Sequence, residues 1–161
     1  MVLPPETTPS GRIVLASSSA ARAALLRAAG VDFAIEPAAI DEVATKQEAR
    51  RSGESAVACA IVLATEKACA VSRRDPAALV IGADQVLVSG VEWLDKPNDL
   101  GEARRQLLGL RGRTHVLATA MRGLNGFGLQ TPKRCRVPMR WRYRAPCSAG
   151  RVPPTVSRVA Q

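Results

Sequence analysis

The chain has 161 residues, of which 47% are hydrophobic, 23% are charged and only 3% are aromatic. This length and composition predict one folded domain with a core of Ala, Val, Leu and Ile, and they exclude a chain that is disordered throughout. Because no apolar run approaches the roughly 20 residues of a membrane span, and the N-terminus lacks the features of a signal peptide, the expected location is the cytoplasm.

The formal net charge of +9 comes entirely from the C-terminal part of the chain. Up to Met121 there are 14 Lys/Arg and 14 Asp/Glu residues, whereas from Arg122 onward there are nine Lys/Arg residues and no acid. A basic excess spread over the whole chain would point to nucleic acid or an anionic membrane as partner. The balanced body does not support that interpretation.

The first elements are predicted from short apolar runs and helix signals. Residues 1–11 contain three prolines and predict a loose leader. The apolar run at 12–16 predicts a buried strand, and the helix formers at 20–29 predict a helix that Gly30 ends. A second short strand is predicted at 33–35.

The middle of the chain predicts a long helix and a hairpin. Asp41 and Glu42 are assigned to a loop, and the Ala-rich segment 55–73 is predicted to be helical. The run 78–81 is the clearest buried strand and continues in extended form to residue 88. Ser89-Gly90 then suits a hairpin turn.

One further helix and one further strand complete the predicted domain. Asp99 is a natural N-cap with Glu102 as its capping-box partner, and the helix is expected to run to about Gly109. Residues 114–119 predict another strand. Because strands alternate with helices, the predicted fold class is α/β. No periodicity is sustained in 122–161, which we expect to be disordered.

Three segments carry residues suited to phosphate chemistry. Ser17 to Ser19 lie between a strand and a helix, where free N–H groups, hydroxyls and the helix dipole favour an anion, and Arg22 could add a phosphate contact. Asp84 follows a buried strand, at the sheet edge where α/β proteins bind ligands. Lys96 precedes Pro97 and could contact phosphate. Taken singly, each segment also has an ordinary structural explanation that is as good or better. The serines could simply cap the helix, Asp84 could form a turn, and Lys96 could be a solvated surface lysine.

The order of the motifs is more specific than any one of them. The positions involved are 15–22, 25–26, 30, 33, 40–42, 67–68, 80–85, 95–97, 102–103 and 110–115. Together they resemble the Maf-like nucleotide pyrophosphatases, also described as septum formation inhibitors, from about Arg12 to Met121. The resemblance implies a Maf/ITPase-like mixed sheet flanked by helices, with a central cleft. It also implies cleavage of a nucleoside triphosphate to the monophosphate and pyrophosphate with Mg²⁺ or Mn²⁺.

The resemblance also implies roles for individual residues. Asp84 matches the catalytic carboxylate that activates water, and Asp84 and Glu42 match metal ligands. The implied substrate-binding residues are Ser17, Ser19, Arg22, Lys67, Gln85 and Lys96.

Two positions of this sequence are informative when they are compared with the usual motifs of the family. Ala20 and Ala21 stand where the family usually has proline and arginine, so one expected cation is missing. Gln85 is typical of the 7-methyl-GTP branch, whereas the dTTP/UTP branch usually has Thr. Gln85 therefore favours a 7-methyl-GTP-like specificity.

The C-terminal part departs further. Family members continue beyond the 114–119 strand with residues of the site, whereas 122–161 is rich in Arg and Pro and contains no acid. We hypothesise that a frameshift or truncation replaced that part, which would leave the fold incomplete and impair activity. The expected organisation is a leader at 1–11, an incomplete nucleotide-binding domain at 12–121 and a disordered tail at 122–161.

Two alternatives to an active enzyme remain open. The chain could be a nucleotide-binding remnant without turnover, or it could bind nucleic acid through 140–144, where arginines alternate with aromatic residues. The abrupt change after Met121 favours a translated wrong frame over a nucleic-acid site. The expected partner is therefore a nucleoside triphosphate and not a membrane, and a homodimer stays open.

Overall fold

The structure, a computed structural model, describes residues 11–125, 128–130 and 139–142. The elements in chain order are β1 (Ile13–Leu15), α1 (Ala20–Ala28), β2 (Ala34–Ile35), α2 (Glu42–Arg51), α3 (Ala56–Ser72), β3 (Leu79–Ser89), β4 (Glu92–Leu94), α4 (Leu100–Leu110), β5 (Thr114–Asn125), β6 (Gly128–Gln130) and β7 (Met139–Arg142). The expected α/β class is confirmed.

The strands form one mixed sheet. Its order is β2-β1-β3-β5-β6, with β4 also paired to β3 and β7 to β5. Strand β1 runs parallel to β2 and β3, whereas β5 runs antiparallel to β3. The carboxyl ends of β1 and β2 therefore lie at one edge, beside the middle of the long strand β3.

Helix α3 covers the centre of the sheet and forms most of the core. Leu63 and Ala64 of α3 pack with Val86 of β3 and with alanines of β5 in one buried cluster. The helix approaches β3 most closely at Gly82, where a Cβ atom would lie 2.0 Å from the carbonyl oxygen of Ala64. Since real Cβ atoms do not come this close, glycine is required there for α3 to lie against the sheet.

The local signals at helix and hairpin ends are largely confirmed. The Ser19 hydroxyl accepts a hydrogen bond from the N–H of Arg22 at the start of α1, and Asp99 accepts from Glu102 at the start of α4. Gly90 has φ of 62° in the hairpin turn between β3 and β4. The capping box differs in one bond, because Glu102 accepts from the N–H of Asn98.

Helix α2 corrects the sequence analysis, which placed Asp41 and Glu42 in a loop. The Asp41 carboxylate caps the helix by accepting from the N–H of Ala44 at 2.9 Å, and Glu42 is its first residue. The sequence did not predict this helix, because most of its residues, EVATKQEARR, are polar and they form no apolar stripe. Its residues nevertheless favour a helix locally.

Strand β5 is longer than predicted and continues past Met121 to Asn125. Pairing with the long strand β3 stabilises this extension, with Val80 opposite Leu124. The short strands β6 and β7 also pair with β5. The other residues of 122–161, and residues 1–10 of the expected leader, lie outside the described residues, so the proposed domain division stays a prediction. In the part of the chain that the structure describes, no helix has the length and apolar content to cross a bilayer.

Candidate active site

A pocket of about 770 Å³ opens at the carboxyl end of β1. Its walls come from the β1–α1 turn, helix α2, the middle of β3 and the segment between β4 and α4. Every site residue expected from the sequence lines it: Ser17, Ser19, Arg22, Glu42, Lys67, Asp84, Gln85 and Lys96. Residues far apart in the chain therefore meet in one cavity.

The β1–α1 turn presents two hydroxyl groups and a guanidinium group. Ser17 is buried, and its Oγ accepts hydrogen bonds from Nη1 of Arg22 at 2.8 Å and from the N–H of Ser19 at 3.3 Å. Burial lowers the pKa of Arg22, and the charges of Asp84 and Glu42 partly offset this effect. The arrangement places a cation and a helix N-terminus at one end of the pocket, which suits an anionic ligand.

Lys67 of α3 joins two of the carboxylates that line the pocket. Its Nζ lies 2.6 Å from Oδ1 of Asp84 and 2.8 Å from Oε1 of Glu42. Lys67 and Asp84 are both buried. Among the residues that the structure describes, Oδ2 of Asp84 has no hydrogen-bond partner, although buried oxygens are normally satisfied. This oxygen therefore keeps an unused capacity to accept a hydrogen bond at the wall of the pocket.

Glu42 is more open to solvent than Asp84. Burial acts to raise the pKa of its carboxyl group, but the hydrogen bond from Lys67 and the charges of Lys67, Lys46 and Lys96 outweigh burial. The net result is a pKa below the usual value. Three lysines thus keep this carboxylate ionised at the mouth of the pocket.

Helix α2 contributes a row of three charged residues, of which the sequence predicted only Glu42 as a site residue. Glu42, Lys46 and Arg50 follow one another at intervals of four residues, so they share one helix face, and all three line the pocket. Lys46 and Arg50 both pair with Asp95, at 2.8 and 3.0 Å. The spacing of four residues could have indicated that these side chains share one face. That spacing is informative only once the segment is known to be a helix.

The predicted residues Gln85 and Lys96 are exposed and lie at the pocket wall. Gln85 follows Asp84 on β3, where its side chain points to the opposite face of the sheet. Lys96 lies between β4 and α4, next to Asp95. Within the described residues there is no cluster of three His, Cys, Asp or Glu side chains that could hold a metal. Glu42 and Asp84 are the carboxylates gathered around Lys67.

The sequence pattern of the family described as Maf-like protein matches residues 12–139. The chain belongs to the Maf-like protein family. The match begins at the first residue of the expected domain and extends beyond Met121, where the resemblance noted above ended. It covers all the residues that line the pocket.

Individual relatives of this Maf-like chain carry two kinds of name. A nucleoside triphosphate pyrophosphatase of Granulibacter bethesdensis is 47% identical over 110 residues, covering 68% of this chain and 56% of the relative. One of Rhodospirillum rubrum is 49% identical over 109 residues, covering 68% and 54%. A 7-methyl-GTP pyrophosphatase of Mesorhizobium japonicum is also 49% identical over 109 residues, covering 68% and 55%. The chain spans about half the length of the curated relatives it matches.

Proposed function

We propose that this protein is a nucleoside triphosphate pyrophosphatase that releases a nucleoside monophosphate and pyrophosphate. The observation that carries the proposal is Oδ2 of Asp84, a buried carboxylate oxygen that has no partner among the described residues, in a pocket that Ser17 and Arg22 also line. Relatives that match 68% of this chain bear names for this activity. A carboxylate in that position can accept a proton from an attacking water.

The chemical step is the hydrolysis of a phosphoanhydride. The oxygen of water forms a bond to phosphorus, the bridging P–O bond between the α- and β-phosphates breaks, and pyrophosphate leaves. Asp84 takes the proton of the water. Lys67 holds the other oxygen of Asp84 and so fixes the direction in which Oδ2 can accept. Such positioning is most of what phosphoryl-transfer enzymes supply.

The phosphate chain is assigned to the cationic end of the pocket. Ser17, Ser19 and Arg22 would donate to its oxygens, and Lys96 would contribute a further charge from the facing wall. Buried cations and hydroxyl donors recognise phosphate more strongly than exposed ones do, because water competes less. Lys67 is less available to substrate than the sequence suggested, since two carboxylates already bind it.

The donor set fits a divalent cation, Mg²⁺ or Mn²⁺. Oxygen ligands are the ones these cations prefer, and Mg²⁺ usually takes one or two carboxylates together with substrate phosphates. The unpartnered Oδ2 of Asp84 and the carboxylate of Glu42 would hold it. When bound, the cation neutralises charge on the phosphate oxygens.

The preferred substrate is assigned to 7-methyl-GTP. Gln85 lines the pocket from the face of β3 opposite to Asp84, and its amide can both donate and accept hydrogen bonds to a base. Relatives named as 7-methyl-GTP pyrophosphatases occur among those of about 44–49% identity. A nucleotide substrate is consistent with a cytoplasmic enzyme, and a homodimer is compatible with this function.

Pyrophosphate release by the purified full chain tests the proposal. The assay uses Mg²⁺ with dTTP, UTP, CTP, GTP and 7-methyl-GTP, and compares the parent with Asp84→Asn. Asp75→Asn is the matched control, because Asp75 forms an ion pair with Arg12 and does not line the pocket. Turnover that depends on Asp84 and survives in Asp75→Asn supports the enzyme. Nucleotide binding without any turnover in a folded protein would instead identify a binding remnant.

A further inference from the structure

The segment 95–99 between β4 and α4 carries Lys96 but is exposed along its whole length. An exposed segment has many accessible conformations, and a lysine side chain adds its own flexibility. A phosphate contact from Lys96 therefore requires something that fixes the backbone beside it. Pro97 restricts one dihedral angle on one side. The neighbouring Asp95 provides the tertiary contacts on the other side.

Asp95 is held by three residues that belong to two helices. Its Oδ1 lies 2.8 Å from Nζ of Lys46, and its Oδ2 lies 3.0 Å from Nη2 of Arg50, both on helix α2. Its carbonyl oxygen accepts a hydrogen bond of 3.0 Å from the side-chain amide of Gln106 on α4. The segment is thereby tied to both helices at the residue immediately before Lys96.

Arg50, which pairs with Asp95, also contacts Trp93 of β4. Its Nη2 also approaches the carbonyl oxygen of Trp93 at 3.4 Å, and its guanidinium carbon lies 5.4 Å from the centre of the Trp93 ring. A guanidinium group that stacks on an aromatic ring and pairs with a carboxylate is held more rigidly than a solvated one. Arg50 is therefore a suitable anchor for Asp95.

The same face of α2 reaches the catalytic carboxylates at its other end. Glu42 pairs with Lys67, while Lys46 and Arg50 pair with Asp95. One rigid helix thus spans the pocket from the Lys67–Asp84 pair to the Lys96 segment. The distance between the proposed water-activating group and the proposed phosphate-binding lysine depends on this connection.

We propose that Asp95 is a positioning residue, which locks the Lys96 segment to Lys46 and Arg50 of helix α2 so that Lys96 meets the phosphates of the substrate. The role rests on the proposed function, because it presupposes a phosphate ligand in the pocket. Asp95 lines the pocket, but both of its carboxylate oxygens are engaged by Lys46 and Arg50, so in this proposal it acts through Lys96 and not through a contact of its own with the substrate. Its loss weakens binding of the polyphosphate and leaves the step at Asp84 largely intact, so KM rises more than kcat falls.

The experiment compares the full-length parent with Asp95→Asn, Asp95→Glu and Lys96→Met. The readouts are KM and kcat for the nucleotide, the Kd for inorganic tripolyphosphate by calorimetry, and the midpoint of thermal unfolding. Asp95→Asn is expected to raise KM and Kd about threefold to tenfold. Asp95→Glu keeps the charge and is expected to recover part of the loss. Asp75→Asn, which removes a different ion pair, is expected to leave both constants unchanged.

A double-mutant cycle distinguishes positioning from a general structural effect. If Asp95 acts through Lys96, then Asp95→Asn has little further effect on Kd when Lys96 is already Met. Equal effects in both backgrounds, or an unchanged Kd in Asp95→Asn, would overturn the proposal. A parent that binds tripolyphosphate but hydrolyses no nucleotide rejects the proposed function, and the Kd series still decides the role of Asp95. A parent that does not bind tripolyphosphate overturns both.

Discussion

Nζ of Lys67 lies 2.6 Å from Oδ1 of Asp84, and both side chains are buried between helix α3 and strand β3. The pair joins two elements of the core, and the second oxygen of Asp84 has no partner among the described residues. Removing one member of a buried ion pair leaves the other charge buried without a counter-charge. The pair is therefore a structural element of the pocket, and in the proposed function it also orients Asp84.

Lys67→Met is expected to lower the free energy of unfolding by about 3–5 kcal/mol, because it leaves the carboxylate of Asp84 buried without a cation. Adding Asp84→Asn to that variant is expected to recover part of the loss, since the stranded charge is removed. Urea unfolding of the two single variants and the double variant measures this coupling. Strictly additive effects would contradict it.

Gly82→Ala is expected to destabilise the protein by about 3 kcal/mol or more. The new Cβ would lie 2.0 Å from the backbone oxygen of Ala64, so helix α3 has to move away from β3 and carry Lys67 with it. Gly123→Ala on the neighbouring strand β5 is the matched control, because among the described atoms its Cβ would meet only Leu79 Cδ1, at an ordinary contact distance of 3.8 Å. Thermal unfolding of both variants tests the difference. Similar losses at the two glycines would show that strand propensity, and not the contact with α3, is responsible.

The ionisation of Glu42 predicts a pH-dependent contribution to stability. Its pKa lies below the ordinary value of 4.5, because the hydrogen bond from Lys67 and the nearby lysine charges exceed the opposing effect of burial. A lowered pKa means that the folded state holds the proton less tightly than the unfolded state. The contribution is therefore complete above pH 4.5 and is lost as the pH falls through the lower, folded-state pKa.

The measurement for Glu42 is the free energy of unfolding against pH for the parent and Glu42→Gln. The two curves should differ at neutral pH and converge in acid, once the pH has fallen through the folded-state pKa, which lies below the ordinary value of 4.5. Glu92→Gln, at the exposed hairpin, controls for the loss of a glutamate in general. A constant difference across the pH range would mean that Glu42 contributes by packing and not by charge.

Arg22→Lys is expected to raise KM for the nucleotide about tenfold, which corresponds to about 1.4 kcal/mol of binding free energy. Lysine keeps the charge but loses the fork of donors, one of which binds Ser17 at 2.8 Å. Steady-state kinetics with the nucleotide panel measure the change. Arg27→Lys, at an exposed position of the same helix, is the control and should leave KM as it is.

Gln85→Thr tests the assignment of the base. If the amide of Gln85 reads the base, the substitution is expected to lower kcat/KM for 7-methyl-GTP relative to dTTP. Gln47→Thr, at an exposed position of α2 that does not line the pocket, is the control. An unchanged ratio in Gln85→Thr would move the specificity to other residues of the pocket wall.

Local sequence signals determined much of this protein. The buried runs predicted β1 and the start of β3, the caps Ser19 and Asp99 located two helix starts, and Ser89-Gly90 located the hairpin. These features depend on residues close together in the chain, so a pattern of a few residues suffices to predict them. The order of the motifs in addition led to the family, which the match over residues 12–139 shows.

Only the tertiary structure decided which charges meet. Helix α2 has no apolar stripe, so its existence, and the row of Glu42, Lys46 and Arg50, could not be predicted from periodicity. The contact of Lys67 with Asp84 depends on how closely α3 approaches Gly82, and the contact of Lys46 with Asp95 joins residues 49 positions apart. Side-chain pairing across such separations follows from the packing of the whole sheet and its helices. The sequence pattern identified residues of the pocket, but the distances between their side chains follow only from the tertiary structure.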